Sequence, residues 1–366
     1  MGERNRFIDV AKGVAIILVL FNHYEWAEGS FVGTHLYNWL VCMAVPIFML
    51  CTGYVTAASF KRNGTDLSNA YTKKALLPKL ARYIFPVLWF YIAETILTFI
   101  FIKTGFLDYL STLDFAYADG YANAKMTPLG TIAFFFAGGR GQHGTYYFPI
   151  ILQVAFMMPV IYRIVVRRKS GVVVCFLITL ALEVLKIPVC LLLSELGVGS
   201  GVQYGIYRLL AFRYIFVLAL GCYMYLYHEN LGKWYKWLLC FAVGAGYIYL
   251  IEYTSYNRVI FTWWQNTSMI AVLYIAPVFL LGLKYLSKIS IKPLEELGKA
   301  SYHILMVQIL YFNFFAPLVW TAPKSVVPND FVGMLFSVVV CLGGGYGYYL
   351  LYSKVSKAYK KKRHGR

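Results

Sequence analysis

The stretch RFIDVAKGVAIILVLFNH, from Arg6 to His23, decides how the fold of this chain is interpreted. It predicts an apolar helix in which Asp9, Lys12 and His23 stand among hydrophobic residues. Because successive helical residues are about 100° apart, the steps from Lys12 to His23 bring the two side chains back within roughly 20° of each other, about 16 Å apart along the axis. Asp9 lies one turn before Lys12 on nearly the same side. One face of this helix is therefore polar at both ends and apolar between.

Two interpretations of this polar face remain open from the sequence. Ionisable side chains in a membrane helix cost several kcal/mol unless they face a bundle interior or water, so the aligned pair predicts a lined cavity. In the alternative, Lys12 is an interface anchor that reaches the lipid headgroups, with Asp9 as its ion-pair partner. His23 would then lie at the opposite interface, in contact with water. The geometry of a single helix does not distinguish the two.

Apolar segments recur along nearly the whole chain. Of its 366 residues, 60% are hydrophobic and 14% are charged, a balance that excludes an ordinary soluble domain. The segments are continuous and long enough to cross about 30 Å of hydrocarbon, whereas a β-barrel would show alternating stretches of about ten residues. We therefore predict an all-α, polytopic membrane protein with one transmembrane domain over residues 1–366 and about ten transmembrane helices. The predicted spans are 7–24, 36–58, 81–103, 144–166, 171–193, 206–227, 233–252, 265–286, 298–320 and 331–353.

The net charge of +18 is unevenly distributed. Lysines and arginines cluster at every second loop and in the tail 354–366, whereas the first outer loop contains Glu25 and Glu28 and neither lysine nor arginine. By the positive-inside rule this pattern predicts that both termini are cytoplasmic, in a multi-pass protein of the plasma (inner) membrane. The basic tail is expected to contact anionic lipid headgroups rather than nucleic acid. All seven cysteines lie within apolar runs, and no spacing suggests a metal site.

Polar residues outside the first helix supply further candidates. The long outer segment 104–143 is too apolar for a free loop, and we expect a short re-entrant or interfacial helix within it. It ends in a glycine-rich turn in which Arg140 and His143 could bind a ligand, although such a turn is as readily explained by structure alone. Glu183 and Lys186 are predicted to form an i, i+3 ion pair. The other buried polar candidates are Glu94, Gln153, Arg208, Arg213, Glu252 and Gln308.

Five short segments follow one another in a characteristic order. The first is the set Asp9, Lys12, Gly13 and His23. The others are AVPIFMLCTGY (44–54), KLARYIFP (79–86), HGTYYFPIILQVAFMMP (143–159) and LGKASYHILMVQ (297–308). In order and spacing they resemble the motifs of the acyltransferase-3 family of integral membrane acyltransferases. The resemblance covers essentially the whole chain.

The resemblance implies an activity and also shows departures from the family pattern. Many members have arginine where Lys12 stands, the usual serine is Thr52 here, and Gln308 occupies a position where histidine often closes the last motif. Tyrosines replace a tryptophan that is usual in the segment 143–159. The resemblance implies membrane O-acyl transfer, commonly from acetyl-CoA, to surface polysaccharide, peptidoglycan, lipopolysaccharide or a similar acceptor.

The polar residues suit this chemistry. Acyl transfer to a hydroxyl needs a base that works near pH 7, and His23 has the side chain whose ordinary pKa of about 6.5 is suitable. Its orienting partner is predicted to be Asp9 or a carboxylate from another helix. Lys12, Arg82 and Lys79 are expected to bind the anionic phosphates of the donor on the cytoplasmic side. The candidate substrate-binding residues are Glu25, Arg140, His143 and Arg208.

A second class of function fits the composition. A transporter or flippase that exports a sugar or lipid-linked substrate would also need about ten helices with buried charge, but the matched motifs favour the enzyme. The expected partners of the enzyme are the acyl-CoA donor, a carbohydrate or glycolipid acceptor and the lipid bilayer, with neither metal nor nucleic acid. If His23 is not the base, the alternatives are His143, His303 and Glu94.

Overall fold

The computed structural model describes residues 5–24, 26, 31–105, 144–227, 233–254, 269–316 and 330–364. These residues form helices joined by short turns, and no strand occurs among them, so the all-α prediction is confirmed for this part of the chain. The long helices are α1 (Arg6–His23), α2 (Ala44–Asn63), α3 (Lys73–Lys103), α4 (Tyr147–Arg167), α5 (Gly171–Glu195), α6 (Ser200–Arg208), α7 (Ile215–Leu226), α8 (Trp234–Tyr253), α9 (Val272–Tyr285), α10 (Lys292–Leu310) and α11 (Asp330–His364).

Length and composition identify the membrane-crossing helices. Within the described ranges, six helical segments are long and apolar enough to cross a bilayer: Tyr37–Asn63, Lys73–Leu97, Tyr147–Arg167, Gly171–Glu195, Trp234–Tyr253 and Phe331–Ala358. The chain is therefore a multi-pass membrane protein. Helix α1 is not among these six, and its 18 residues include the charged residues Arg6, Asp9 and Lys12. The predicted total of about ten spans and the cytoplasmic position of both termini stay predictions.

Helices α1 and α10 cross with their backbones in direct contact. A Cβ atom added to Gly13 of α1 would overlap the carbonyl oxygen of Leu294, and one added to Gly298 of α10 would overlap the carbonyl oxygen of Asp9. Such close approach is possible only where both surfaces lack a side chain. The first and last of the five sequence motifs are therefore neighbours in space.

A second glycine pair joins α2 to α7. A Cβ atom on Gly53 would overlap the carbonyl oxygen of Leu218, and one on Gly221 would overlap that of Leu50. The Cys222 thiol also donates to the carbonyl of Gly53, with an S···O distance of 3.4 Å. On its other side α2 contacts α1, and the core of the bundle is formed where these helices meet. Helix α2 is thus fixed between α1 and α7.

The predicted span 206–227 is wrong as one continuous helix. Helix α6 ends at Arg208, a 3₁₀ turn covers Ala211–Tyr214, and α7 begins at Ile215. Gln153 of α4 satisfies the backbone at the break: its amide nitrogen donates to the carbonyl of Leu209 at 2.6 Å, and its amide oxygen accepts from the Ala211 N–H at 3.0 Å. Because a side chain from another helix replaces the helical hydrogen bonds there, the apolar pattern of the sequence did not reveal the interruption.

Candidate active site

A cavity of about 920 Å³ lies between α1, α2, α3, α10, α11 and the start of α4. Asp9, Lys12 and His23 of α1 all line it. The polar face of α1 therefore faces a cavity, as the first interpretation of its spacing predicts. A volume of this size is at the upper end of the range for small-molecule sites.

His23 stands at one end of the cavity. Gly144, which has φ +95°, approaches it so closely that a Cβ atom there would lie 3.4 Å from the Nε2 atom of His23 and 3.7 Å from the Nε2 atom of Gln308. Gln308 is fully buried, and the ring of Phe312 lies 6.3 Å from the His23 ring between centroids. The residue that departs from the family pattern, Gln308, is thus placed beside His23.

The middle of the cavity contains the other two polar groups of α1. The side chain of Asp9 is 7% exposed, and its backbone lies against Gly298. Lys12 is half-buried. From the facing helix α2, Thr52 lines the cavity while its hydroxyl donates to the carbonyl of Phe48 at 2.8 Å. The glycine crossing of α1 and α10 therefore sets the position of Asp9 and, one turn later, of Lys12.

Arg82 lines the cavity from α3, four residues before a proline inside that helix. Pro86 has no N–H, so the carbonyl of Arg82 loses its usual helical donor. Two tyrosine hydroxyls hold the neighbouring backbone: Tyr302 donates to the carbonyl of Tyr83 and Tyr348 to that of Pro86, each at 3.1 Å. Helices α10 and α11 thereby fix α3 at the level of Arg82.

The structure places other predicted residues away from the cavity wall. The ammonium group of Lys79 lies over the ring of Phe60, 5.3 Å from its centroid, and Lys79 is absent from the described lining. The guanidinium of Arg208 stacks on the ring of Tyr146 at 4.5 Å, and that ring lines the cavity. The remaining predicted substrate-binding residues lie outside the described residues: Glu25, Arg140 and His143.

A second buried polar group lies apart from the cavity. The predicted ion pair of Glu183 and Lys186 is confirmed, with an N···O distance of 3.2 Å. The hydroxyl of Tyr207 donates to the Glu183 carboxylate at 2.8 Å, while Lys186 and Arg213 both lie over the Tyr207 ring. None of the four is in the described lining of the cavity. We assign this group to the packing of α5 against the broken segment α6–α7.

Sequence reasoning missed several lining residues at the other end of the cavity. They come from α10 and α11 and are Lys299, Tyr302, Tyr349, Tyr352, Ser353, Ser356 and Lys357; a further lining residue, His303, had been considered only as an alternative base. The tail was interpreted only as a lipid-binding segment, yet Lys357 belongs to the cavity wall. The spacing of the five α11 residues by three or four positions was the available signal, because it places them on one helical face.

The part of the chain that the structure describes contains no arrangement of side chains typical of a metal site. Within it, no group of three or more His, Cys, Asp and Glu residues is arranged to hold a metal ion. The polar groups of the described cavity lining are instead two histidines, an amide, hydroxyls, cations and one carboxylate. This set can accept a proton, bind an anionic ligand and hold a neutral hydroxyl compound.

Comparison with known proteins gives one match. A family model described as an acyltransferase domain, that of the acyltransferase-3 family, matches residues 5–347. The matched range includes α1 and nearly all of the described cavity lining, from Asp9 to Lys299 and on to Tyr302 and His303. Neither the curated proteins nor the solved structures contain a match.

Proposed function

We propose, from the premise that the chain belongs to the acyltransferase-3 family, that it transfers an acetyl group from cytoplasmic acetyl-CoA to a hydroxyl group. The acceptor would be a polysaccharide or glycolipid of the cell surface or envelope, and the protein would lie in the plasma (inner) membrane. Family membership carries the coarser statement that the chain is a membrane acyltransferase. Our proposal adds to this the identity of the donor, the class of acceptor and the type of bond formed.

One observation carries the proposal: a single cavity connects His23 with the cations Lys12 and Arg82. An acyl-CoA donor has an anionic nucleotide at one end and a reactive thioester at the other. Cations can therefore hold the phosphates while the thioester extends along α1 towards His23. A transporter would need charge in a cavity too, but the family match supports the enzyme.

In the proposed reaction the acceptor hydroxyl attacks the carbonyl carbon of the thioester. His23 takes the hydroxyl proton as the new C–O bond forms. The C–S bond then breaks, the sulfur leaves as the thiolate of CoA, and the proton on His23 neutralises it. The products are an O-acetyl ester and free CoA, with no other reactant required. Arg208, stacked on the cavity-lining Tyr146, is our candidate for binding the acceptor near this point.

Asp9 is proposed as a positioning residue for the α1 site. It is nearly fully buried, and it lies on the same face of α1 as Lys12 and His23. A buried carboxylate here favours the charged form of Lys12, which lies one turn further along the helix. It therefore supports the donor-binding end of the proposed mechanism, because it lies about 21 Å from His23 along the helix.

The test is transfer of labelled acetyl from acetyl-CoA to the native glycan, in membranes matched for the amount of protein. We expect His23→Gln to lose activity by about 10² to 10⁴-fold, because glutamine keeps hydrogen-bonding capacity but cannot take the proton. Asn22→Gln is the matched control, since Asn22 also lines the cavity one residue away. Appreciable activity in His23→Gln would move the search for the base to His143, His303 or Glu94.

A further inference from the structure

The end of the cavity opposite His23 is formed largely by the last helix. Helix α11 has 35 residues and is about 52 Å long, which exceeds the roughly 30 Å of hydrocarbon in a bilayer. Its final turns therefore extend beyond the hydrocarbon. The residues of α11 that line the cavity lie on one face of its C-terminal half: Tyr349, Tyr352, Ser353, Ser356 and Lys357.

His303 of α10 lies against this face in an unusual environment. Its side chain is only 8% exposed, and the rings of Tyr348, Tyr349 and Tyr352 stand 5.0, 5.5 and 5.2 Å from its own, measured between centroids. Among the described residues, neither ring nitrogen of His303 has a hydrogen-bond partner. Buried polar atoms are nearly always paired, so this exception requires an explanation. Because His303 lines the cavity, the simplest explanation is that a bound ligand supplies the missing hydrogen-bond partner.

The charge of the cavity indicates what kind of ligand binds there. The described lining contains four cations, Lys12, Arg82, Lys299 and Lys357, and a single carboxylate, that of Asp9. Lys299 is paired with Glu296 outside the lining at 2.6 Å. Arg82 and Lys357 come from different helices, α3 and α11, and both are exposed side chains that line the cavity. Cations on two sides of an opening suit a ligand that carries several phosphates.

We propose that this end of the cavity binds the nucleotide half of the donor, with the adenine base against Tyr349, Tyr352 and His303 and the phosphates held by Arg82, Ser356 and Lys357. Aromatic rings accept a planar base by stacking, and an imidazole nitrogen can exchange a hydrogen bond with it. The inference rests on the proposed function, in that the donor is an acyl-CoA. It assigns to the C-terminal helix a role in donor recognition beside that of α1.

The test is equilibrium binding of CoA to the purified full-length protein in detergent. Lys357→Ala should weaken CoA binding about tenfold, which corresponds to about 1.4 kcal/mol for one phosphate contact. Lys354→Ala is the matched control, because Lys354 is exposed one turn earlier on the same helix and is not part of the cavity wall. His303→Phe, which keeps an aromatic ring and removes both nitrogens, should also weaken CoA binding.

Fragments of the donor separate the nucleotide subsite from the rest of the cavity. Adenosine 3′,5′-bisphosphate should compete with CoA for the wild-type protein, and its affinity should fall in Lys357→Ala by the same factor as that of CoA. If Lys357→Ala binds CoA as tightly as Lys354→Ala does, or if the bisphosphate does not compete, the inference is overturned while the proposed function stands. If the wild-type protein binds no CoA, the donor in the proposed function is wrong and the inference fails with it.

Discussion

Replacing Gly298 with alanine would test whether the crossing of α1 and α10 sets the geometry of the site. The added methyl group would overlap the backbone carbonyl of Asp9, so α1 and α10 must move apart. A backbone atom cannot rotate away as a flexible side chain can. The displacement is therefore imposed at Asp9, next to Lys12 and within the cavity wall.

The expected cost of Gly298→Ala follows from two opposed effects. Alanine is a better helix former than glycine by roughly 0.5–1 kcal/mol. Inserting a methyl group into a packed contact typically costs about 1–3 kcal/mol, and here the contact is with backbone. We therefore expect a net destabilisation of about 1–2 kcal/mol. Gly13→Ala, which meets the carbonyl of Leu294 at the same crossing, should behave alike.

The assay compares thermal unfolding midpoints and acetyl transfer of variants purified in the same detergent. Gly343→Ala and Gly347→Ala in α11 are matched controls, because a Cβ atom at either position would meet nothing within 4 Å. These controls should be unchanged or slightly stabilised. Gly298→Ala should have a lower midpoint and should lose activity by more than its loss of folded protein explains, since Asp9 and Lys12 are displaced.

The double variant makes the prediction sharper. Once either methyl group has separated the two helices, the second costs less, so Gly13→Ala with Gly298→Ala should destabilise by less than the sum of the single changes. If Gly298→Ala were as stable and active as the α11 controls, the two backbones would not be in contact and the placement of Asp9 argued above would be refuted.

Two further predictions concern the donor and the topology. Lys12→Ala and Arg82→Ala should raise the concentration of acetyl-CoA needed for half-maximal transfer more than they raise the concentration of acceptor needed. Lys12→Arg should be largely tolerated. If the alanine variants depend on acetyl-CoA as the wild-type protein does, these cations do not contact the donor. Accessibility labelling of single cysteines should find both termini and residues 59–80 inside and residues 104–143 outside, whereas labelling of the tail from outside intact cells would contradict the orientation.

Much of the fold could be predicted from the sequence, because each helix is indicated by the pattern of its own residues. Apolar runs predicted helices close to those observed, for example 7–24 against Arg6–His23 and 171–193 against Gly171–Glu195. The break in the helix at Leu209 could not be predicted from the sequence. It depends on Gln153, whose amide reaches the broken backbone from a different helix more than fifty residues earlier.

The sequence by itself determined the polar face of α1, because the angle between Lys12 and His23 depends only on the repeat of one helix. It also carried the family resemblance, which the match over residues 5–347 bears out. Only the tertiary structure decided what faces α1. Gln308 beside His23, and Tyr352 and Lys357 at the opposite end of the cavity, come from the last third of the chain. The positions of these residues depend on backbone contacts between helices, such as the one at Gly13 and Gly298. The periodicity of a single helix does not encode such contacts.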